Sequence, residues 1–336
     1  MWLRRKGGFT VRYLEDVVTG KPISRIGLGT WQFGSREWGY GNDYASRDAD
    51  LIVARAADLG ITLFDTAEAY GMGRSERILG AAVAKHDLRE KAFIATKIFP
   101  LLPVAPVVRH RAEASAGRLG VSTIDLYQVH WPNPVIRDGT TMAGMRDLQD
   151  TGVVTEVGVS NYSLDRWKDA ERALGRRVLS NQVQFSLAHP KPLDEMVPFA
   201  QAQGRVVIAW SPLAQGFLST RYDAEHRPTG GVRAMNSLFL DENLTRAAGL
   251  LNTLRDVAAT HQVTPAQVAL AWLIHHPAVV AIPGASSIAQ VEANAAAADL
   301  DLAGGEVAEL TEQARRFHPV SGLSAGRQLA KSRLHR

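Results

Sequence analysis

Eight short apolar runs, rich in β-branched residues, recur along the chain, and most are followed by an amphipathic stretch. The runs lie at 24–31, 62–67, 92–97, 125–130, 155–161, 181–186, 206–212 and 278–284. They are too apolar for half-exposed strands, which indicates a parallel sheet buried on both faces. Strand and helix alternating eight times predicts an α/β fold, a closed (β/α)8 TIM barrel, and an open eight-stranded sheet is the alternative.

Helix start and stop signals lie between the runs. Thr264 followed by Pro265 predicts the start of a helix that ends before Pro277. Ser46 is the predicted cap of a helix that ends at Gly60, a residue suited to a left-handed terminator.

Two segments depart from the regular alternation. Residues 221–239 follow the seventh run and are rich in Gly, Pro and Arg, which predicts a long loop, with an extra helix over 243–260. Residues 9–24 predict an N-terminal β-hairpin that closes the barrel floor, and further helices are expected at the C-terminus. Without linkers or repeats, we expect one domain over 1–336, with a core at about 23–316 and a basic tail at 317–336.

Charge and composition narrow the classes of protein and partner. The chain has no cysteine, so neither disulfides nor thiolate chemistry is available. Residues 1–8 and 317–336 carry seven Lys or Arg and no acid. Subtracting these seven charges from the net charge of +4 leaves a net charge of −3 on the rest of the chain. We expect solvated ends and no nucleic-acid partner, with binding of nucleic acid by these ends as the alternative. No apolar stretch approaches the roughly 20 residues of a membrane helix, and no secretory signal is apparent, so a soluble cytoplasmic protein is expected.

Polar side chains stand where successive runs end. The second run ends at Asp65 with Tyr70 on the loop that follows, the third at Lys97 and the fourth at His130. Because barrel active sites gather at the C-terminal ends of the strands, we expect these four side chains to meet in one cleft.

The four residue types suit acid–base chemistry at a carbonyl or an alcohol. A phenol titrates near pH 10, and the Lys97 ammonium is expected to lower the pKa of Tyr70 by stabilising its phenolate. Asp65 is the expected counter-ion of Lys97, and a neutral His130 can hydrogen-bond a substrate oxygen. Each residue alone also has a structural interpretation: Asp65 as a loop cap, Lys97 as one member of an ordinary ion pair, and His130 as a packed histidine. The prediction therefore rests on the four residues together.

This group supplies a proton but no electrons. The chain has neither a G-x-G-x-x-G nor a Walker A spacing, and no metal site is expected because His275 and His276 are adjacent on a helix. A redox cofactor must therefore bind elsewhere in the barrel.

Seven motifs together closely resemble those of the aldo-keto reductase superfamily. They are LFDTAEAYGMGRSE, IATK, LYQVHWP, VGVSNYS, NQVQFS, AWSPLAQGFLS and IPGASSIAQVEAN, in the family's order and spacing from about residue 23 to 300. The resemblance implies a barrel that binds extended NADP(H), with NAD(H) not excluded, and acts on a small-molecule carbonyl substrate. It implies Tyr70 as the general acid, completed by Asp65, Lys97 and His130. We expect the substrate walls to come from Trp31, Trp38, Tyr40, Trp131 and the C-terminal segment.

The resemblance also assigns cofactor contacts by position. Ser160, Asn161 and Gln182 match the residues that hydrogen-bond the nicotinamide carboxamide, and Trp210 matches the residue that stacks on the ring. Thr30 and Trp31 fall at the nicotinamide end, and Ser211, Leu213 and Gln215 in the pyrophosphate stretch. The adenosine end is similar to the subgroup with potassium-channel β-subunits and bacterial aldo/keto reductases, which implies contacts from Arg221, Arg233, Gly284, Ser286, Gln290 and Asn294.

The predicted function is NADPH-dependent reduction of an aldehyde or ketone to an alcohol by hydride transfer, with Tyr70 as the proton donor. A cofactor-binding regulatory subunit, like the channel-associated members, is the alternative. Those members tend to have Asn where this chain has His130, which favours catalysis.

Overall fold

The computed structural model of the chain describes residues 3–4, 10–34, 42–222, 226, 228, 233, 235–322 and 324–326. Two short strands near the N-terminus, β1 (Leu3–Arg4) and β2 (Thr10–Val11), pair antiparallel. The eight strands that follow form one parallel sheet in chain order. They are β3 (Leu28–Gly29), β4 (Leu63–Asp65), β5 (Phe93–Ile98), β6 (Ile124–Val129), β7 (Val154–Ser160), β8 (Ser180–Gln184), β9 (Val206–Trp210) and β10 (Val279–Ala281).

The sheet closes into a barrel. Gly27 N donates to Ala281 O at 2.8 Å and Gly29 N to Pro283 O at 3.1 Å, which joins the first strand of the sheet to the last. The predicted (β/α)8 barrel is therefore confirmed over the open sheet, and all eight apolar runs contain a strand.

Helices follow the strands of the sheet. They are α1 (Asn42–Asp58), α2 (Arg74–Lys85), α3 (Ala105–Leu119), α4 (Asp138–Asp150), α5 (Leu164–Leu174), α6 (Met196–Ala202), α7 (Asp241–Arg246), α8 (Ala248–Thr260), α9 (Pro265–His275), α10 (Ile288–Ala296) and α11 (Gly304–Arg316). The last two, α10 and α11, come after β10.

Some of the predicted helix ends agree with the structure and others do not. Thr264 caps α9 through a capping box with Gln267, as its Thr-Pro start indicates. Gly60 has φ +88°, the left-handed terminator expected after α1. Ser46 is not the cap of α1, because that helix begins one turn earlier, at Asn42. The single helix predicted over 243–260 is two helices, α7 and α8.

The N-terminal hairpin lies at the barrel floor, as predicted. Leu14 N donates to Ile23 O at 3.0 Å, and Leu14 and Val17 pack against the apolar side chains that fill the lower barrel interior. These side chains are buried and include Leu63, Phe93, Leu126, Ile208 and Val280. The apolar layer closes the lower end, so polar groups in the interior lie toward the C-terminal ends of the strands.

Glycine makes room for the polar layer above. A Cβ on Gly158 would lie 2.9 Å from the Gln128 side chain and closer still to Ser180, so only glycine fits there on β7. Parts of three predicted features lie outside the described residues: Trp38 and Tyr40 of the substrate walls, residues 223–225, 227, 229–232 and 234 of the loop at 221–239, and residues 323 and 327–336 of the basic tail. Within the described ranges, no helix is long and apolar enough to cross a membrane.

Candidate active site

A buried ion pair lies at the C-terminal ends of β4 and β5. Lys97 Nζ donates to Asp65 Oδ1 at 2.6 Å and to Thr66 O at 2.7 Å. Both side chains are almost fully buried, at 0% and 2% exposure, so neither charge has solvent to compensate it. Burial, the largest single effect, lowers the pKa of Lys97, but the charges of Asp65 and Tyr70 and the hydrogen bonds to them together raise it by more, so the pKa lies above its ordinary value and Lys97 is a cation in the folded protein.

Tyr70 lies against this pair on the loop after β4. Lys97 Nζ donates to Tyr70 Oη at 3.3 Å and lies 4.9 Å from the centre of the ring. The rings of Trp31 and His130 flank the phenol, with centroids 6.2 Å and 5.7 Å from its own. The structure therefore brings Asp65, Lys97, Tyr70 and His130 together.

The net pKa shift of Tyr70 differs from the one expected. Burial raises the pKa of the phenol, and the nearby charge of Lys97 lowers it by less, so the pKa lies above its ordinary value. The sequence-based expectation of a lowered pKa is wrong in direction, although Lys97 acts on the phenol in the expected sense. The phenol is therefore protonated at neutral pH, which is the form a proton donor requires.

His130 is a neutral, buried imidazole. It is 5% exposed, and burial, followed by the charge of Lys97, lowers its pKa to about 2. Its ring stacks on Trp131 with centroids 4.0 Å apart, which fixes the plane of the imidazole. A neutral imidazole offers one N–H donor and one acceptor.

Three predicted nicotinamide contacts cluster between β6 and β9. Asn161 Nδ2 donates to His130 O and to Ser160 Oγ, both at 3.1 Å, and Asn161 Oδ1 accepts from Trp210 Nε1 at 3.1 Å. Asn161 has φ +61°, a left-handed conformation that holds its amide at this junction. The side-chain amide of Gln182 lies outside this cluster of hydrogen bonds. Its Nε2 donates to Asp65 Oδ2 at 2.7 Å, so it binds the second oxygen of the carboxylate that pairs with Lys97.

The loop after β9 has a strained backbone. Ser211, Ala214 and Gln215 are non-glycine residues with φ between +48° and +58°, and Leu213 O accepts from Gly216 N at 2.9 Å. Such strain is concentrated at ligand clamps and active sites. Arg233 Nε donates to Gln215 O at 3.0 Å, which places one predicted basic contact on this loop. Arg221 is exposed at the end of the same loop.

The predicted adenosine contacts lie at the start of α10. Gln290 Oε1 accepts from Ser286 N at 2.8 Å and from Ser286 Oγ at 2.9 Å, so these two side chains bind each other. Asn294 Nδ2 lies 3.4 Å from Gly284 O, close to the limit of a hydrogen bond. These residues are brought together on one segment, and they offer oxygen and nitrogen atoms but no cation.

One predicted contact, Thr30, has a structural role. Thr30 is 1% exposed, its Oγ1 donates to Asp65 O at 2.9 Å, and its carbonyl accepts from Ser75 Oγ at 2.8 Å. Thr66 Oγ1 also donates to Ser75 Oγ, at 3.0 Å. The hydroxyl of Ser75 therefore ties together the ends of β3 and β4 below the site.

Sequence reasoning missed Ser75 and its neighbour Glu76. Glu76 is fully buried, accepts from Thr96 Oγ1 at 2.6 Å and pairs with Arg118, so it holds the strand that carries Lys97. Both residues lie in the quoted motif GMGRSE, at the start of α2. Two polar residues on the buried side of a helix start were the signal that could have identified them.

Comparisons with known proteins show the family of the chain. The Aldo/keto reductase family model matches residues 25–315. The chain is 57% identical over 311 residues to an uncharacterised oxidoreductase of Mycobacterium tuberculosis, covering 93% of this chain and 95% of the relative. It is 32% identical over 290 residues to a methylglyoxal reductase of Escherichia coli, covering 86% and 90%.

A solved structure is similar as well. The aldo/keto reductase from Klebsiella pneumoniae, in complex with NADP and acetate, is 29% identical with a TM-score of 0.70, covering 91% of this chain and 96% of that one. The family match spans nearly all of the barrel, from the strand after the hairpin to α11. The chain therefore belongs to the aldo/keto reductase family of oxidoreductases.

Proposed function

We propose that this oxidoreductase reduces an aldehyde or a ketone to an alcohol with NADP(H), and that Tyr70 is the general acid. One observation carries the proposal. Lys97 Nζ lies 2.6 Å from the Asp65 carboxylate and 3.3 Å from the Tyr70 hydroxyl, at the end of the barrel where such enzymes have their active sites.

The residues around the site fit a nicotinamide dinucleotide. Ser160 and Asn161 present a hydroxyl and an amide, which suit a neutral carboxamide, and Trp210 is a half-buried indole that suits a flat ring. The strained loop from Ser211 to Gln215, with Arg233 attached, suits a pyrophosphate. Support also comes from the Klebsiella relative, whose structure contains NADP. When bound, the cofactor supplies the hydride.

The proton comes from Tyr70. Its phenol is protonated at neutral pH because its pKa is raised by burial. An alkoxide is a stronger base than a phenolate, so transfer of the proton from Oη to the substrate oxygen runs downhill. The cation of Lys97 then stabilises the phenolate, and Asp65 keeps the pair neutral before the transfer.

His130 positions the substrate oxygen. A neutral imidazole can donate one hydrogen bond to that oxygen and does not compete with Tyr70 as an acid, because its pKa is lowered to about 2. The stack with Trp131 keeps the ring from rotating. Tyr70 therefore donates the proton, Lys97 stabilises the phenolate that results, and His130 orients the substrate oxygen.

A carbonyl panel tests the proposal. Oxidation of NADPH and of NADH is followed by absorbance with aliphatic aldehydes, aromatic aldehydes and ketones, and the affinity for each cofactor is measured by fluorescence. We expect NADPH oxidation that depends on the carbonyl compound. Cofactor binding with no turnover of any carbonyl would contradict an enzyme and favour the regulatory subunit.

A further inference from the structure

Gln182 joins two strands on opposite sides of the barrel. It lies on β8 and Asp65 lies at the end of β4, and β5, β6 and β7 stand between these strands in the sheet. Both side chains are 2% exposed, and Gln182 Nε2 lies 2.7 Å from Asp65 Oδ2. The contact therefore crosses the interior of the closed barrel.

The chemistry of this contact determines which way the amide of Gln182 points. A carboxylate that pairs with an ammonium only accepts hydrogen bonds, so the amide nitrogen, and not the amide oxygen, must face Asp65. The oxygen Oε1 then points away from Asp65. The amide can therefore bind two different groups, one with each end.

Asp65 is held from two sides. Its Oδ1 accepts from Lys97 Nζ at 2.6 Å and its Oδ2 from Gln182 Nε2 at 2.7 Å. Within the part of the chain that the structure describes, no other side chain donates to Oδ2. A buried carboxylate oxygen without a donor costs free energy, so loss of the amide would favour a shift of Asp65 toward another donor.

The position of Asp65 influences the position of the Lys97 ammonium. An ammonium has three N–H groups, and that of Lys97 donates to Asp65 Oδ1 at 2.6 Å, to Thr66 O at 2.7 Å and to Tyr70 Oη at 3.3 Å. The bond to Tyr70 is the longest of the three and is already near the limit for a hydrogen bond. A shift of Asp65 that draws Lys97 with it would therefore weaken the contact with the phenol first.

The backbone of Gln182 is held as well as its side chain. Its carbonyl accepts from Ser160 Oγ at 2.8 Å and from Asn161 N at 2.9 Å, at the end of β7. A side chain on a strand that is fixed in this way can position its partner accurately. Because Ser160 and Asn161 are proposed carboxamide contacts, Gln182 connects the nicotinamide end of the site to the ion pair.

We propose that Gln182 is a positioning residue for the proton donor: through Asp65 it holds the Lys97 ammonium against the Tyr70 hydroxyl. The resemblance assigns Gln182 to the nicotinamide carboxamide, a contact that its Oε1 can make, and the inference adds a role for its Nε2. This inference rests on the proposed function and adds a residue to the group that donates the proton.

Gln182→Met is the first test, because it removes both ends of the amide and nearly keeps the length of the side chain. With an aldehyde and NADPH at saturation, kcat should fall about 10- to 100-fold, the effect expected when a hydrogen bond to a charged group is lost. Gln128→Met is the matched control. Gln128 is a fully buried glutamine on β6 whose Oε1 lies 3.4 Å from Ser180 Oγ and whose Nε2 has no partner among the described residues. The same substitution there breaks no contact with Asp65 and should keep the wild-type kcat.

Gln182→Glu separates the two ends of the side chain. Next to a buried carboxylate the pKa of a glutamic acid is raised, so the new group can donate a proton to Asp65 at low pH and only accepts at high pH. Its kcat, divided by that of the wild type at the same pH, should be near one at about pH 6 and fall about tenfold by about pH 9. NADPH affinity, measured by fluorescence, should change much less. The wild type in this ratio corrects for Tyr70, Lys97 and His130, and the ratio decides the inference if Gln182→Met does not fold.

The outcomes distinguish this inference from the proposed function. A Gln182→Met enzyme that loses NADPH affinity but keeps the wild-type kcat at saturation makes only a cofactor contact, which overturns the positioning role while the reductase stands. An equal loss of kcat in Gln128→Met overturns it as well, because any buried amide would then have the same effect. If the wild type reduces no carbonyl compound, the proposed function fails, and the role of Gln182 in proton transfer fails with it.

Discussion

Burial decides the charge states of Tyr70 and His130, whereas pairing keeps the buried Lys97 charged. Asp65, Lys97 and Tyr70 were predicted to meet because each stands at a strand end, and the distances of 2.6 Å and 3.3 Å are consistent with that contact. The direction of the Tyr70 pKa shift was not predictable, because the cost of burying a phenolate depends on every neighbour that excludes water. The spacing of residues in the sequence indicates which side chains meet at the site, but it says little about how far burial shifts their pKa values.

Burial of His130 makes the stability of the fold depend on pH. Its folded pKa of about 2 lies far below its unfolded value near 6.5, so the unfolded chain takes up a proton as the pH falls and the folded chain does not. Stability is therefore lost below pH 6.5, and between pH 7 and pH 5 this one group should cost about 2 kcal/mol. The measurement is the free energy of unfolding in urea at both values of pH.

The variant His130→Asn isolates this effect. Asn does not titrate, so the loss of stability between pH 7 and pH 5 should shrink by about 2 kcal/mol relative to the wild type. His276, whose pKa burial lowers to about 4, contributes in the same direction but is present in both proteins. An unchanged loss in His130→Asn would show that residue 130 is not buried as a neutral imidazole.

At the scale of elements, the first turn of α2 fixes the ends of three strands. Ser75 ties Thr30 and Thr66 together, and Glu76 holds Thr96 next to Lys97. The same loop and helix start carry Tyr70, so the proton donor and the supports of its ion pair come from one continuous segment. We infer that α2 sets the distance between the phenol and the ammonium.

Ser75→Ala tests this role of α2. Removing the hydroxyl leaves the buried Thr66 hydroxyl without its acceptor and leaves the Thr30 carbonyl with Phe33 N alone, which should cost about 1–3 kcal/mol of stability. Because a small displacement of catalytic groups is expensive, kcat for carbonyl reduction should fall about tenfold. Urea unfolding and steady-state kinetics measure the two effects.

Ser24→Ala is the control for Ser75→Ala. Ser24 is equally buried, and its hydroxyl donates to Ile26 O at 2.7 Å and accepts from Thr62 N at 3.0 Å, at the hairpin end of the barrel. It should lose stability but keep kcat, since it lies away from the C-terminal ends of the strands. Equal kcat in the wild type and Ser75→Ala would contradict a positioning role.

Element ends were less predictable from the sequence than element identity. Thr264 and Gly60 carry local signals, Thr264 through its capping side chain and Gly60 through its backbone, and both were confirmed. Ser46 carries the same kind of signal, yet it lies inside α1, because a residue that can cap a helix does not by itself prevent the helix from continuing through it. The amide of Gln182 was assigned to the cofactor from its position, and its contact with Asp65 depends on side chains across the barrel.

At the scale of the whole molecule, the alternation of eight runs was sufficient to predict the barrel. Fully apolar strands need cover on both faces, and a closed ring of strands with outer helices provides it. The hairpin floor followed from one extra apolar segment ahead of the first strand. Trp131 was among the expected substrate walls, but the exposed side chains of Leu101 and Leu102 on the loop after β5 were not predictable, because exposed leucines in loops have no periodicity.

Tyr70→Phe tests the central claim most directly, through kcat/KM for reduction of an aldehyde with NADPH. Tyr13→Phe is the control, because Tyr13 donates its hydroxyl to Gly60 O, away from the C-terminal ends of the barrel strands. We predict that Tyr70→Phe lowers kcat/KM by at least about 100-fold while NADPH affinity stays within twofold, and that Tyr13→Phe keeps most of the activity. A Tyr70→Phe enzyme that retains most of its reductase activity would contradict Tyr70 as the proton donor.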